Sequence, residues 1–394
     1  MAALPPCDPK TDPPAASTVA LVRCPDYARA NVELAVGEAL RLLGGIARFV
    51  RPGSRVLLKP NLITGLPPQA AATTHPEVVA AVARAALAAG GRVTLGDSPG
   101  VVPLPVAVER SGIAPVLAEL GIPLDEFSES VEVPRPSGAR FRKLQLARAA
   151  LEADAVLNLA KVKTHQQMFL TLAVKNNFGC VAGRQKALWH LSAGRDPAFF
   201  ARVLVEICLA VRPALSIADG VLGMEGTGPT HGLPRPLGWI AASADPFTLD
   251  AVLTWLLGFR PEDVPVLLAA QEARSDGLPV GETRLDRIRI VGDPAGDLRV
   301  TDFRPPAAGR LLFLPDALAS LARRLVTVKP VIDRAACRAC GVCVGSCPAQ
   351  AMKMVDGHVR IDDTLCIRCF CCQELCPHGA VRVRQGWLSK LCSR

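Results

Sequence analysis

Cysteines near the C-terminus are the residues of this 394-residue chain whose spacing most directly suggests chemistry. Ten of the fourteen cysteines come after residue 336. They form two copies of the pattern C-x2-C-x2-C-x3-C-P, which read CRACGVCVGSCP (337–348) and CIRCFCCQELCP (366–377). In such motifs three cysteines bind one [4Fe–4S] cluster and the fourth, before proline, binds the other cluster. The spacing therefore predicts two [4Fe–4S] clusters.

The same rule assigns each cluster three cysteines of one motif and the last cysteine of the other. One predicted cluster is bound by Cys337, Cys340, Cys343 and Cys376, and the other by Cys366, Cys369, Cys372 and Cys347. Zinc is the alternative ligand, but structural zinc sites usually draw their ligands from two separated pairs. Cys371 belongs to neither set, and its role stays open.

Residues 328–386 resemble a bacterial-type two-cluster ferredoxin domain. Short strand-like segments flank the motifs, such as VID (331–333) and AVRVR (380–384). The resemblance implies a small α+β domain that shuttles single electrons, with one cluster facing a redox partner protein and the other facing inward. A further flavin or metal is neither indicated nor excluded.

The elements that would position a substrate beside these clusters lie in the larger N-terminal part, residues 18–300. Strand patterns alternate with helix patterns there. The strands include RVLLKPN (55–61), RVTLGD (92–97), DAVLNLAKVKTH (154–165) and ALSIADG (214–220), and the helices include HPEVVAAVARAALAAGG (75–91). Such alternation predicts an α/β domain with a mainly parallel sheet and helices on both faces.

Polar side chains follow several of these predicted strands. Lys59 and Asp97 end two of them, and Lys161, Lys163 and His165 end a third. Ligands of open α/β sheets bind beyond the carboxyl ends of the strands, so one site is expected at this edge. Helix capping is the alternative for Asp97 and for Asp245.

Lysines and amides in this number favour a small anionic substrate, a carboxylate or a phosphate. We expect catalytic roles for His165, Lys161, Lys163 and Asp219, with His165 as the proton donor. Substrate binding is expected of Lys59, Asn61, Thr74, His75, Asp97, Lys175, Asn176, Glu225 and Gly226. Lys161 to Asn176 are expected around one strand-to-helix turn. For His165, metal ligation and simple hydrogen bonding stay open, as does a metal site at Asp219 and Glu225.

The segment DGVLGMEGTGPTHG (219–232) predicts a glycine-rich loop in which backbone amides can approach a ligand. It does not match a dinucleotide fingerprint, because the glycine order differs and prolines forbid a following helix. The chain also has no G-x-x-x-x-G-K-[ST] motif, so no motif supports nucleotide binding.

Several motifs together resemble the family of domain of unknown function 362. They include LLKPNL (57–62), GDSPG (96–100), KVKTH (161–165), LAVKNNFG (172–179) and ADPFTLDAV (244–252), within residues 18–300. The resemblance implies that these motifs line a common pocket with iron–sulfur clusters beside it, and it names no reaction. Cys180 stands where an aliphatic residue is expected, either as core packing or as a thiol at the site.

Composition excludes several classes of protein. The net charge is +9, yet no Lys/Arg run exceeds two residues and aromatics make up 4%, which argues against nucleic-acid binding. The sequence has no run of 18 or more apolar residues without a charge or a proline, so it predicts no membrane span. Residues 1–17 predict a flexible leader without a secretory signal, so a cytoplasmic location is expected. Residues 301–327 predict a linker with an amphipathic helix, and residues 387–394 a tail.

The resulting hypothesis is an iron–sulfur oxidoreductase that passes electrons to or from an anionic substrate or cofactor at the strand-end crevice. One alternative is a non-catalytic electron carrier or assembly factor that docks a partner enzyme. Another is a metal- or anion-dependent non-redox enzyme whose clusters are structural.

Overall fold

The computed structural model of the chain describes residues 17–183, 185–307 and 328–385. Within these ranges a large α/β domain precedes a small cysteine-rich domain. Most of the predicted leader, the predicted amphipathic helix and the predicted tail lie outside the described residues.

The strands of the α/β domain are β1 (Thr18–Arg23), β2 (Arg55–Pro60), β3 (Arg92–Gly96), β4 (Leu124–Asp125), β5 (Ser130–Glu132), β6 (Gln145–Ala147), β7 (Ala155–His165), β8 (Phe169–Thr171), β9 (Leu215–Glu225), β10 (Leu233–Ser243) and β11 (Arg289–Gly292). Its helices are α1 (Arg29–Leu42), α2 (Pro76–Ala88), α3 (Leu104–Arg110), α4 (Ala114–Leu120), α5 (Arg148–Glu152), α6 (Ala173–Asn176), α7 (Gln185–Ala193), α8 (Pro197–Val211), α9 (Pro246–Leu256), α10 (Pro265–Ser275) and α11 (Ala295–Leu298).

The main sheet has the strand order β11-β1-β10-β9-β7-β2-β3-β4, and β8 pairs with the end of β7. Neighbouring strands are parallel except at β10, which is antiparallel to both β1 and β9, and at β8. The predicted mainly parallel sheet is therefore confirmed, with the carboxyl ends of β2, β3, β7 and β9 at one edge.

Helices cover both faces of this sheet, as predicted. Successive side chains of a strand point to opposite faces. Leu57 accordingly joins the core that packs under α8, α9 and α10, whereas Val56 and Leu58 join the core under α1 and α2. Because both faces are buried, the strands are mostly apolar, with buried polar residues such as Asn158 in β7 and Ser216 in β9.

Two segments differ from their predictions. The sequence predicts one strand-to-helix turn over 161–179, but β7 turns back at His165 as the antiparallel strand β8 before α6 begins. The sequence also predicts a loop at 219–232, but β9 continues to Glu225 and pairs with β10. Gly220 permits this pairing, because a Cβ there would lie 2.1 Å from the Trp239 ring.

The small domain contains β12 (Val328–Ile332), α12 (Val342–Gly345), β13 (Met352–Val355), β14 (His358–Ile361), α13 (Cys371–Glu374) and β15 (Val381–Gln385). The strands form two antiparallel pairs, β12 with β15 and β13 with β14. This arrangement agrees with the predicted ferredoxin-like α+β fold. Its buried core is small and includes three cysteines, Cys343, Cys372 and Cys376.

Among the helices of the described ranges, none has both the length and the apolar character needed to cross a bilayer.

Candidate functional site

Eight motif cysteines form two quartets, each lining one internal space. The first quartet, Cys337, Cys340, Cys343 and Cys376, lines a space of about 310 Å³ including its open mouth. The second quartet, Cys347, Cys366, Cys369 and Cys372, lines a space of about 320 Å³ including its open mouth. Each space is thus lined by four cysteines that the spacing groups together, and cluster binding by each quartet stays a prediction.

The two motifs wrap their spaces with the same backbone conformation. Ala339 and Arg368, which are 29 residues apart, have φ of 51° and 57°. Gly341 and Phe370, at the same offset, have φ of 77° and 63° and precede α12 and α13. Non-glycine residues rarely adopt positive φ. Positive φ at equivalent positions of both motifs therefore indicates that a loop needs this conformation to surround its space.

Backbone amides point at one sulfur of each quartet. The Ala351 amide donates to Cys347 Sγ at 3.3 Å, and the Ala380 amide donates to Cys376 Sγ at 3.3 Å. Hydrogen bonds to cluster sulfurs are one of the means by which proteins set reduction potentials. The donor set and its amide partners fit [4Fe–4S] ligation.

A cleft of about 1360 Å³, including its open mouth, lies between the two domains. Its α/β wall includes six residues that the sequence predicts for the site: Lys59, Asn61, Asp97, Lys163, Lys175 and Asn176. Its other wall comes from the small domain and includes Ser346, Pro348, Cys371, Glu374 and Leu375. The strand-end residues and the cysteine-rich domain therefore share one cavity.

A buried ion pair forms part of the α/β wall. Lys59 Nζ lies 2.9 Å from Asp97 Oδ1, and both side chains are almost fully buried. Asp97 also accepts hydrogen bonds from the amides of Leu62 and Ser98. Asp97 thus holds the ends of β2 and β3 together, and it does not cap a helix.

Gly179 allows this pair to lie against the backbone. A Cβ at Gly179 would lie 2.0 Å from Asp97 Oδ1 and 2.6 Å from Lys59 Nζ. We expect Gly179→Ala to displace the pair and to weaken anion binding in the cleft by about tenfold or more, because one charge-assisted contact contributes about 1.5–3 kcal/mol. Calorimetric titration with a dicarboxylate such as succinate measures this. Gly345→Ala is the matched control, since Gly345 also borders the cleft, has no positive φ and has no atom within 4 Å of a Cβ; equal affinity of both variants would contradict the expectation.

Lys163 is held by amides and carbonyls. Its Nζ donates to Asn61 Oδ1 at 2.8 Å and to the Ala72 carbonyl oxygen. The Asn61 amide donates in turn to Asn176 Oδ1 at 2.9 Å. Burial lowers the pKa of Lys163 well below its ordinary value. An anion entering the cleft would favour the charged form of this side chain.

Two further lysines complete the cationic wall. Burial lowers the pKa of Lys175, and it lowers the pKa of Lys186 to about 8. Lys186 Nζ donates to the carbonyl oxygen of Ser98. Among the described residues, Lys163, Lys175 and Lys186 have no carboxylate within ion-pair distance. The cleft therefore carries three lysines that form no ion pair with a described carboxylate, and the carboxylate of Glu374 lines the same cleft.

His165 faces the small domain. Its Nδ1 accepts hydrogen bonds from the amides of Gln167 and Met168, so the proton of the neutral ring resides on Nε2. That nitrogen lies 2.5 Å from Glu374 Oε1. Burial lowers the pKa of His165 to about 4, and the positive surroundings keep the pKa of Glu374 at about 2 despite burial. A neutral imidazole therefore contacts an ionised carboxylate that lines the cleft.

The two unassigned cysteines have different surroundings. Cys371 lines the cleft on α13, next to Cys372 of the second quartet. Cys180 is fully buried in the core under α8, and burial raises the pKa of its thiol to about 12. These surroundings agree with a packing role for Cys180.

Lys161 and Asp219 belong to a separate buried network. Lys161 Nζ lies 2.8 Å from both Asp219 Oδ2 and the Tyr27 hydroxyl, and Tyr27 donates to Asp219 Oδ1 at 2.7 Å. The backbone amide of His75 donates to Asp219, and the His75 ring stacks on Tyr27 at 3.5 Å. Neither Lys161 nor Asp219 lines the cleft. The geometry gives these two residues contacts that stabilise the strand ends.

The remaining predicted residues also contact protein groups outside the cleft. Thr74 Oγ1 donates to the Leu159 carbonyl oxygen. Glu225 forms an ion pair of 3.3 Å with Arg304, whose carbonyl oxygen accepts from the Gly226 amide. Thr74, His75, Glu225 and Gly226 do not line the cleft, and their predicted substrate binding stays a prediction.

Hydrogen bonds fix the small domain over the cleft. Thr230 Oγ1 donates to the Glu374 carbonyl oxygen at 2.9 Å, and His231 Nε2 lies 2.8 Å from the Cys376 carbonyl oxygen. Gly100 lets the GDSPG segment approach, because a Cβ there would lie 2.4 Å from the Leu375 side chain. The cleft is therefore defined by direct contacts between the domains.

Comparisons with known proteins agree with this division. Residues 56–255 match the family described as domain of unknown function (DUF362), and residues 329–377 match a 4Fe-4S dicluster domain. The chain belongs to the DUF362 family. Its C-terminal part is a [4Fe–4S] ferredoxin domain, which supports a role in iron–sulfur electron transfer.

A relative of this DUF362 protein is the thylakoid-associated protein sll1697 of Synechocystis sp.. The two are 44% identical over 255 residues, which is 65% of this chain and 78% of the relative. Among solved structures, the lactate racemase apoprotein of Thermoanaerobacterium thermosaccharolyticum matches with a TM-score of 0.36 and 12% identity, over 57% of this chain and 54% of that one. A TM-score at this level supports no argument about function.

Proposed function

We propose that this DUF362 protein is an iron–sulfur oxidoreductase that exchanges electrons with a small organic anion bound in the interdomain cleft. The observation that carries the proposal is the composition of the cleft. Cationic side chains of the α/β domain form one wall, and α13, which bears Cys372 of the second quartet, belongs to the other. An anion held by the lysines would thus lie beside a cysteine quartet.

The two quartets would each hold one [4Fe–4S] cluster, giving two clusters per chain. When bound, such clusters supply single electrons at a potential set by their surroundings. The second quartet is the one nearer the substrate in this proposal, because Pro348 lines both its space and the cleft.

The lysines supply the binding energy for the anion. Lys163 and Lys175 are buried lysines that form no ion pair with any described residue, and burial lowers the pKa of both. A bound carboxylate or phosphate oxygen would favour their charged form. Apolar side chains, including Leu62, Val101 and Phe178, line the same cleft. This combination favours an organic anion with an apolar body over an inorganic ion.

Proton transfer in this proposal falls to Lys186 rather than to His165. An acid–base group is most effective when its pKa lies near the working pH, and the pKa of Lys186 is about 8. Its ammonium group would donate a proton when the substrate is reduced, and the amine would accept one in the opposite direction. Glu374, which keeps its charge, would repel an anion toward the lysines, and its contact with His165 joins the two domains.

The proposal is tested by mixing the anaerobic, cluster-reduced protein with a panel of organic carboxylates and phosphate esters. At least one compound should reoxidise the clusters, seen as recovery of their visible absorption. Lys175→Ala should slow that reaction by about tenfold or more, because a charge-assisted contact is lost. Lys143→Ala, which removes an exposed lysine of the same domain, is the matched control and should leave the rate unchanged.

Oxidised methyl viologen, which needs no lysine, should reoxidise wild type and both variants at the same rate. If no anion reacts, or if Lys175→Ala and Lys143→Ala behave alike, the substrate assignment is wrong. Unimpaired electron delivery to a protein partner by Lys175→Ala would then favour the alternative of a non-catalytic carrier.

The location of the protein is a separate question. The predicted cytoplasmic location stays a prediction, and the relative is described as thylakoid-associated. By analogy, we propose that this chain also associates with a membrane surface, and sedimentation with membranes at low and high salt tests this.

A further inference from the structure

The first quartet has an exposed edge that the second quartet lacks. Cys340 is exposed, whereas no cysteine of the second quartet is. The α/β domain also contacts the second motif directly, because the Arg195 guanidinium donates to the carbonyl oxygens of Cys366 and Asp363. The first quartet is therefore the one that a second protein can approach within the described structure.

Cationic side chains surround this edge. Arg338 and His378 line the space of the first quartet, and both are exposed. Arg334, which precedes Arg338 in the first motif loop, is also exposed. Arg382 lies nearby on β15, and its Nε is 3.5 Å from Asp333 Oδ2, the carboxylate that faces this group. The edge keeps an excess of positive charge after that pair is counted.

The repeat shows that this charge belongs to the first motif and not to the domain as a whole. Residues 29 positions apart hold equivalent places in the two motifs. Arg334, Arg338 and His378 of the first edge correspond to Asp363, Ile367 and Ala349 at the second, whereas Arg368 of the second corresponds to Ala339 of the first. The first edge therefore has the larger number of cationic side chains. Two similar backbone loops thus differ in charge, and Cys340, the exposed cysteine among the eight, belongs to the more cationic one.

We propose that this first-quartet edge, formed by Arg334, Arg338, Cys340 and His378, is the docking surface for a small acidic protein that carries one electron at a time. Charge complementarity at such a surface raises the rate of encounter and orients the partner. A second copy of this chain does not fit the edge, because the chain itself has a net charge of +9.

The transfer is balanced without any bond being made or broken. The acidic carrier loses one electron and this chain gains one, or the reverse, and no proton has to move. The inference rests on the proposed function only for the presence of clusters, and it does not depend on the anion in the cleft.

The test uses the full, cluster-loaded chain and a plant-type [2Fe–2S] ferredoxin as the acidic probe. The affinity of this ferredoxin for the chain is measured by calorimetry, and the rate of electron transfer between them by stopped-flow absorption. The affinity and the rate should both fall steeply with added salt. The double variant Arg334→Glu/Arg338→Glu should lower both by about tenfold or more at low salt.

The variant Arg142→Glu/Lys143→Glu changes the charge by the same amount on an exposed segment of the α/β domain, and it should bind and react as wild type does. Photoreduced deazaflavin, a small reductant that needs no docking surface, should reduce all three proteins equally. Equal losses in both double variants, or affinity and rate that do not depend on salt, would overturn the proposal. Failure of the anion assay alone would leave this result unchanged and would refute only the substrate assignment.

Discussion

With the two clusters proposed above, Cys366→Ala is expected to reduce bound iron from about eight atoms per chain to about four or fewer. Cys366 belongs to the second quartet, and replacing it leaves three thiols around a space shaped by four. Each quartet draws its fourth cysteine from the other motif, so damage at one site also disturbs the loops of its neighbour. Iron and sulfide analysis of anaerobically reconstituted protein, with its visible spectrum, measures the loss.

Cys371→Ala is the matched control for this experiment. Cys371 lies in the same motif but lines the cleft and belongs to neither quartet. This variant should keep about eight irons. Iron content that falls equally in both variants, or in neither, would contradict the assignment of the quartets.

Asp219→Ala is expected to lower the free energy of unfolding of the α/β domain by about 3–5 kcal/mol, because removing one partner of a buried ion pair leaves an uncompensated charge. The change would leave the Lys161 ammonium, the Tyr27 hydroxyl and the His75 amide without their shared acceptor. Urea unfolding followed by far-ultraviolet circular dichroism measures the effect.

Two comparisons make the measurement interpretable. Arg29→Ala, which breaks an exposed pair with Glu33, should leave the free energy of unfolding nearly unchanged. The double replacement Lys161→Met/Asp219→Leu removes both charges and should recover much of the stability lost in Asp219→Ala. A single variant as stable as wild type would show that the network does not hold the strand ends together.

The sequence predicts the sheet and the quartets because both depend on local patterns. Strand patterns alternate with helix patterns along the chain, and cysteine spacing follows from the way a short loop wraps a cluster. Parallel strands also place their carboxyl ends together, which is why Lys59, Asp97 and Lys163 meet at one cleft as expected.

The interdomain wall could not be predicted in this way. Glu374 and Cys371 reach the cleft only because the small domain docks on the α/β domain, and no periodicity in either segment encodes that docking. Lys186 and His190 likewise reach it from α7, which is distant from the strand ends in sequence.

Lys161 shows a different limit of sequence reasoning. It lies two residues from Lys163 and carries the same functional group, yet it pairs with Asp219 across β7 and β9. The register of β7 and β9 pairs Lys161 with the carboxylate of Asp219, whereas Lys163 lines the cleft. The sequence alone does not give this register.

One wall of the cleft belongs to a small domain whose buried core includes three cysteines of the quartets. Metal binding and folding are coupled in such modules, so chain purified in air would lose that wall's internal support. The lysine side chains that line the cleft would then become exposed to solvent. The damaged protein would bind RNA and cation-exchange resin strongly. Polyanion affinity in an aerobic preparation would therefore report oxidative damage and not a biological partner.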